Sequence, residues 1–420
     1  LKHCELGKGG KKLRKNWLLG LLMAAALFIF AACGGKDQGK TGSQPSEAKK
    51  PVKIGVLGSL TGALESYGKQ TATGFDLGLE YATQGTKEVA GRKIEVIRED
   101  TTTKPDVAKQ KALKLLEEDK VDFLVGCSSS ADALAVLPLA QEYKRIMVVE
   151  PAVADSITGA QWNRYIFRTA RNSSQDALAC AAAIAASKPG ATVAILAQDY
   201  AFGRDGAAAF VKAGESKGLK VVLQEFAAMN ATDYTANIQR IINARPDYLY
   251  VIWAGSANTP WKQIMDMKLP EKGIKIFTGA PEIALLKAME GMVGQEGYCV
   301  YYYGLPKNKI NDWLVQEHQK RFGQPPDLFT PGGFSAAVAI VEALKKTNGD
   351  TSADKLIEAM EGMNFDTPKG IMTFRKEDHQ ALQTLYHIRF EKKEGFDYPV
   401  PTLIREIKPE ETAPPIMNKK

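Results

Sequence analysis

An α/β fold with two doubly wound lobes is what this sequence predicts, on three observations. Short β-branched apolar runs alternate with helical periodicities, the alternation restarts after Phe167-Arg168-Thr169, and the connecting segments are short. Roughly 370 residues follow the amino-terminal leader, ample for two separate cores.

The first series opens with the strand Lys53–Leu57, whose apolar residues are mostly β-branched, and continues with Tyr67–Tyr81 at helical spacing. Lys93–Arg98 alternates like a strand, and Val107–Glu117 is an amphipathic helix with Ala108, Ala112 and Leu115-Leu116 on one side. Strand Val121–Val125, helix Ala133–Tyr143 and strand Ile146–Val149 complete it. The second series runs through helix Gln175–Ala186, strand Thr192–Leu196, helix Gly206–Lys217, strand Lys220–Gln224 and helix Tyr234–Asn243. Strand Tyr248–Ile252, helix Pro260–Met267 and strand Lys275–Phe277 follow. The remainder is less regular: strand Gly297–Tyr303, helices Asn311–Phe322, Gly333–Lys346 and Ala353–Met360, then strand-like segments at Gly370–Phe374 and Leu382–Glu391. These pieces complete the first two lobes, because a third would need a core of its own.

Residues 1–32 read as an export signal. The basic run Lys11-Lys12-Leu13-Arg14-Lys15 precedes the apolar stretch Trp17 to Phe30, and Ala31-Ala32-Cys33 follows at once. A helix over that stretch would rise about 21 Å at ~1.5 Å per residue, short of the ~30 Å hydrocarbon core. Residues 33–51 are rich in Gly, Ser and Lys with almost no apolar side chains, the composition of a flexible tether. Residues 1–32 carry a net charge of +5, so the whole-chain +7 falls to +2 once they are removed. A nearly neutral chain without clustered Lys and Arg gives no sign of nucleic-acid binding. Beyond Cys33 the cysteines are Cys127, Cys180 and Cys299, with no CxxC spacing, which argues against a disulfide scaffold.

Ligands of open α/β sheets sit beyond the carboxyl ends of the strands, so the informative loops are those after each strand. The first, Gly58 to Gly68, contains neither GxGxxG nor a P-loop, and no nucleotide cofactor is expected. No GxSxG elbow exists, and His318, His379 and His387 are remote from Ser128 in the expected sheet order. No Cys/His/carboxylate cluster stands at metal-ligand spacing beside His379 and His387. These absences point away from an enzyme. The segment Gly126-Cys127-Ser128-Ser129-Ser130 follows a strand and opens a helix, where a hydroxyl and free N–H groups favour a carboxylate; Ser129 or Ser130 is expected to cap the helix.

KIGVLGSLTGALESYGKQTATGFDLGLEYA, the following GRKIEVIREDTTTKPDVAKQKALKLLEEDKVDFLVGCSSSADALAVLPLAQEY, AILAQDYAFGRDG, ATDYTANIQRI and PDYLYVIWAG resemble the leucine/isoleucine/valine-binding proteins that feed ABC importers. The resemblance covers 52–405 and implies a type I periplasmic binding protein, with two Rossmann-like lobes joined by three crossovers near Thr169–Asn172, Tyr302–Gly304 and Gln383–Tyr386. The N-lobe is then 52–170 with 304–384, and the C-lobe 171–303 with 385–420. It implies a monomer that delivers a small molecule to an ABC permease, while the junction Ala31-Ala32-Cys33 resembles a bacterial lipobox and adds the expectation of a lipid on Cys33 that holds the chain to a membrane outside the cytoplasm. A hydrophobic amino acid is the first expectation for the ligand and an aromatic or aliphatic carboxylate the second; a sensory lobe would use the same fold.

The resemblance also implies ligand contacts. Ser128 and the backbone of Pro151-Ala152-Val153-Ala154 match positions that hold a ligand carboxylate, with Ala152 and Ala154 supplying N–H groups where many relatives have a hydroxyl at the position of Ala154. Cys127 is expected to be a free buried thiol, since the segment Asp100–Thr103 offers it no cysteine. Glu282, in Gly279-Ala280-Pro281-Glu282, is the expected acceptor for an ammonium, although the segment is one residue longer than the Gly-Pro-Glu it resembles. Tyr67 and Phe202 match apolar wall positions, and Trp253 and Phe329 stand beside expected cleft loops. Asp199 and Asp233 are read as helix caps. Fatty-acid labelling of the chain expressed in a bacterium tests the anchor. The parent should label and Cys33→Ser should not; equal labelling of both would refute attachment at Cys33.

Overall fold

The computed structural model describes residues 49–255 and 258–418, all within one compact unit, Ala48–Lys420. The leader, Cys33 and the tether as far as residue 48 lie outside the described residues. The first sheet contains β1 (Val52–Gly58), β2 (Glu88–Val89), β3 (Arg92–Asp100), β4 (Phe123–Gly126), β5 (Ile146–Val149) and β6 (Ile166–Arg168) in the order β2-β3-β1-β4-β5-β6. Its pairs are parallel except β2 with β3. Every residue of β4, β5 and β6 is buried, as expected for parallel strands covered on both faces. The helices α1 (Glu65–Ala82), α2 (Pro105–Glu117) and α3 (Ser130–Glu142) connect them. Pro105 occupies the first position of α2, where a missing N–H costs nothing, and the Ser129 side chain caps α3 by accepting from the Ala131 N–H.

The second sheet is built from β7 (Thr192–Gln198), β8 (Lys220–Ala227), β9 (Tyr248–Ile252), β10 (Lys275–Gly279) and β11 (Glu296–Cys299). Helices α4 (Ser173–Ser187), α5 (Ala201–Ser216), α6 (Thr235–Ala244), α7 (Trp261–Asp266) and α8 (Ile283–Leu286) belong to this series. Next come α9 (Lys309–Phe322), α10 (Thr330–Lys346), α11 (Ala353–Met360) and a small antiparallel sheet of β12 (Asn364–Thr367), β13 (Gly370–Phe374) and β14 (Ala381–Leu382). The chain then adds β15 (Leu385–Glu391) and β16 (Val400–Ile407) to the second sheet, whose order is β16-β15-β11-β10-β9-β7-β8. The runs β3-β1-β4-β5-β6 and β8-β7-β9-β10-β11 have the same doubly wound order, each reversing direction beside its first strand.

Several elements differ from the expectation. Strands β2, β6, β12 and β16 were not anticipated, and β11 ends at Cys299 instead of reaching Tyr303. There the chain turns, with the Leu305 N–H on the Tyr302 carbonyl and the Tyr301 hydroxyl on Asn311 Oδ1 at 2.8 Å. Helix α8 covers only four residues, because Ala288 and Met289 bond three residues back and tighten the chain into a 3₁₀ turn. Asp199 is no cap; it accepts from Arg204 Nε at 2.7 Å, while Asp233 accepts from the Thr235 N–H at 2.9 Å.

The chain passes between the sheets after β6, after β11 and after β14. The first and third passages are laced by Arg168, which has no exposed surface. Its Nε donates to Gln380 Oε1 at 2.6 Å, a terminal nitrogen donates to the Ala154 carbonyl at 2.7 Å, and the other reaches Thr158 Oγ1. Gln380 Nε2 donates to the Ala170 carbonyl at 2.7 Å and Gln383 Nε2 to that of Thr169 at 3.0 Å. Burial lowers the Arg168 pKa to about 10 against the pull of Asp155 and Asp378.

Helices α1 and α10, far apart in sequence, meet along a glycine seam. A Cβ on Gly74 would lie 1.8 Å from the Thr330 carbonyl oxygen, and one on Gly333 1.9 Å from that of Thr71. Gly74→Ala should therefore destabilise the fold by about 1–3 kcal/mol through overpacking. Urea unfolding measures it; an unchanged midpoint would show that the helices separate freely.

Candidate functional site

The direction-reversal points of the two sheets face one another across a cavity of ≈ 70 Å³. From the first sheet come Leu64 and Tyr67 at the start of α1, Ser128 and Ser130 after β4, and Pro151, Ala152 and Val153 after β5. From the second come Tyr200 and Phe202 after β7, Trp253 and Ala254 after β9, and Gly279, Ala280 and Pro281 at the end of β10. Phe329 and Leu328, just before α10, and Arg171, in the first passage between the sheets, close the wall. Six of the expected ligand-contact residues thus come together: Tyr67, Ser128, Ala152, Phe202, Trp253 and Phe329.

Each serine after β4 has a distinct task. Ser128 Oγ accepts from the Ser59 N–H at 3.0 Å, which leaves its own hydrogen available to an acceptor in the cavity. Ser129 is the helix cap, and Ser130 Oγ accepts from the N–H groups of Val153 (3.3 Å) and Ala154 (3.1 Å). The expected role of the Ala154 N–H is therefore corrected: that donor is spent on Ser130, and Ala154 is absent from the cavity wall. Ala152 lines the cavity, and its N–H has no backbone acceptor among the described residues.

The apolar part of the wall is aromatic. Tyr67 and Phe329 pack with ring centroids 3.9 Å apart, Tyr200 and Phe202 at 5.8 Å, and Trp253 meets Tyr234 edge-on at 5.1 Å. The indole N–H groups of Trp253 and Trp261, both in the wall, lack acceptors among the described residues. Tyr67 also bridges the lobes, since its hydroxyl accepts from the Gly255 N–H at 2.8 Å. Gly255 has φ +82°, and a Cβ there would stand 2.9 Å from the Ala63 carbonyl oxygen, so closure at this point requires glycine.

Arg171 is the one charged residue among the described residues that line the cavity. Its Nε donates to Asp176 Oδ1 at 3.3 Å, and its two terminal nitrogens have no hydrogen-bond acceptor among the described residues. Burial is the largest single influence and works against the guanidinium charge, yet Asp176, Tyr298 and Glu150 together outweigh it and the pKa is raised. Glu150, buried and accepting from Thr169 Oγ1 at 2.9 Å, adds to that field. A guanidinium held by Nε with its terminal nitrogens available is suited to a bidentate carboxylate. Sequence reasoning missed Arg171 because it stands in a connector with no periodicity; its one local signal is the adjacent helix start Asn172, which forms a capping box with Gln175.

Glu282 does not line the cavity. It is 2 % exposed, and its Oε2 accepts from Ser66 Oγ at 2.8 Å across the lobes, so the expected ammonium acceptor is engaged elsewhere in this structure. Cys127, Cys180 and Cys299 are free and buried. Burial pushes the Cys127 thiol up, which makes it a poor nucleophile. None of the three described histidines lines the cavity, and no cluster of three or more His, Cys, Asp or Glu able to hold a metal ion occurs among the described residues. No helix of the described residues is long and apolar enough to cross a membrane. The arrangement can bind and enclose an anion with an apolar body.

Comparison with known proteins agrees with this geometry. The sequence profile of the periplasmic binding protein family matches residues 51–395. The Leu/Ile/Val-binding protein homolog 6 of Brucella suis is 27% identical over 345 residues, covering 80% of this chain and 86% of that one. A solved ABC-type branched-chain amino acid transporter protein from Rhodopseudomonas palustris CGA009 is 51% identical with a TM-score of 0.78, over 88% of this chain and 100% of that one. A solute-binding protein from Rhodopseudomonas palustris BisB5, solved with 3,4-dihydroxybenzoic acid, is 30% identical with a TM-score of 0.76, over 85% and 97%.

Beneath the serine loop, Asp132 in the first turn of α3 is fully buried and neither oxygen has a hydrogen bond of good geometry among the described residues. Burial raises its pKa to about 6, against the weaker pull of the nearby Thr101 and Ser129 hydroxyls. A carboxyl whose folded pKa is raised lends stability that is full below its unfolded pKa of ~3.9 and is lost as pH climbs through about 6. Asp132→Asn removes that loss, on the order of 2–3 kcal/mol at neutral pH. Thermal melts should therefore show the variant more stable than the parent at pH 7.5 and similar to it near pH 4. An absence of gain at pH 7.5 would place the Asp132 pKa near its ordinary value.

Proposed function

This chain belongs to the periplasmic binding protein family as the solute-binding protein of an ABC transporter, and on that basis we propose that its ligand is a small aromatic carboxylate. The observation that carries the reading is the charge of the wall: one cation, Arg171, and no acidic side chain among the described lining residues. A carboxylate can take the terminal nitrogens of Arg171 together with the Ser128 hydroxyl and the Ala152 N–H, while its ring packs among Tyr67, Phe202, Trp253 and Phe329. An ammonium in the same wall would be desolvated without an anionic partner, which costs several kcal/mol. Donors without acceptors on Trp253 and Trp261 favour a ligand that carries further oxygen atoms. The 3,4-dihydroxybenzoic acid held by a relative is a molecule of that kind.

In this reading residues 52–170 with 304–384 form one lobe and 171–303 with 385–420 the other. The ligand favours the closed form through contacts to both and leaves for the permease chemically unchanged. Family membership implies work outside the cytoplasm. The monomeric protein would be held there by a lipid on Cys33. The names of several relatives favour a second reading, a branched-chain amino acid whose ammonium would draw Glu282 back to the cleft.

Calorimetry with benzoate, 4-hydroxybenzoate, 3,4-dihydroxybenzoate, leucine, isoleucine, valine and phenylalanine separates them. The benzoates should bind and the amino acids should not. Arg171→Met should cost the benzoates about 2–5 kcal/mol, a loss of roughly 30-fold or more. Leucine binding tighter than every benzoate would overturn the carboxylate reading.

A further inference from the structure

Among the hydrogen-bonded contacts between the lobes that lie outside the ligand cavity, two meet at the start of α8. In the first, Ser66 Oγ, in the opening turn of α1, donates to Glu282 Oε2 at 2.8 Å. In the second, the carboxylate of Asp327, which precedes α10, accepts from the Ile283 N–H at the start of α8 at 3.0 and 3.2 Å. Helices α1 and α10 pack together beside the first sheet, whereas α8 follows β10 of the second, so both contacts cross from one lobe to the other. They converge on consecutive residues, Glu282 and Ile283, and both rise from the amino-terminal end of one seam, where α1 and α10 are fused through their glycines.

The contacts are built for stability. Glu282 is 2 % exposed. Asp327 is held in place on its own side by the Leu328 N–H at 2.8 Å, and the neighbouring Phe329 N–H is held by Gln70 Oε1 at 3.0 Å. Hydrogen bonds accepted by carboxylates are stronger than those between neutral amides when the carboxylate is ionised, and here they lie in a largely buried interface. None of Ser66, Glu282, Asp327 and Ile283 lines the cavity.

We propose that Ser66, Glu282 and Asp327 form a clasp that holds the lobes together without touching ligand, and so sets the share of protein that is closed before ligand arrives. A clasp of this kind scales affinity for every ligand by one common factor, because the apparent dissociation constant is the intrinsic one divided by the fraction that is binding-competent. The inference does not depend on which ligand the protein carries.

The test reads the lobes directly. Dyes on unnatural amino acids at positions 104 and 230, exposed loop positions of the two lobes, report the interlobe distance by single-molecule energy transfer in ligand-free protein. The parent should show a closed population, and Ser66→Ala with Asp327→Asn should lower its closed-to-open ratio about tenfold, the scale of losing charge-assisted hydrogen bonds. Ser66→Ala alone, a small change at a half-buried helix position, should lower it in the same direction and guards against a folding defect in the double variant. A parent without a closed population, or variants that match the parent, would overturn the clasp. Calorimetry with benzoate and 4-hydroxybenzoate adds a second reading: both affinities should fall by one common factor, that of the closed fraction. Unequal losses would mean that these residues recognise ligand and would also overturn it. A protein that binds neither benzoate fails the carboxylate reading alone, since the distance measurement still decides the clasp.

Discussion

A guanidinium buried without exposure, that of Arg168, is the interaction on which the cleft depends. It ties the end of β6 to Gln380 of the third passage and to the backbone after β5, so the strands between the lobes enter the cleft as one unit. A buried cation with incomplete partners would be costly, and here all three guanidinium nitrogens have acceptors. The same knot fixes where Thr169 to Asn172 run. It thereby carries Arg171 to the cavity wall, three residues downstream of a strand end that cannot shift.

Two arginines three residues apart thus do opposite things with the same side chain. Arg168 has each of its three nitrogens on a neutral acceptor and serves as architecture. Arg171 keeps one modest contact to Asp176 and retains hydrogen-bonding capacity in an enclosed, aromatic-walled space. Such a group already bears the cost of desolvation before a ligand comes, which is what preorganisation means in electrostatic terms.

Much of the fold is legible in the sequence because long, strongly patterned elements declare themselves. The buried runs of β1, β5 and β9 and the amphipathic α2 fall within a residue or two of where periodicity places them. The elements that escaped are short or are strands only by virtue of their neighbours: β6 has three residues, β12 four, and β16 is largely exposed. The serine loop after β4 was readable as a site because post-strand loops before helices share a geometry, and the structure adds only the division of labour among Ser128, Ser129 and Ser130. Glu282 and Ala154 show the limit. Spacing along a chain says which loop a residue occupies, and it does not say how deep the residue reaches or which partner takes it first. Arg171 belongs to the same class, since a lone cation in a connector has no pattern until tertiary structure supplies a wall around it.

Helix α10 buries fourteen of its residues, among them the seam glycine Gly333, in a lobe whose sheet ends at residue 168. The first half of that lobe is therefore a sheet with one face covered only in part, by α1, until residues 330–346 arrive. A chain that emerges amino end first, from a ribosome or from a secretion channel, holds more than a hundred and sixty residues of the second lobe and its approaches before the first lobe can finish. Its order of assembly is inverted relative to its order of synthesis: the intervening lobe has most of its strands in hand while the earlier one is still waiting. Discontinuity of this kind delays commitment, so the polypeptide stays pliable during passage and gains its final shape late.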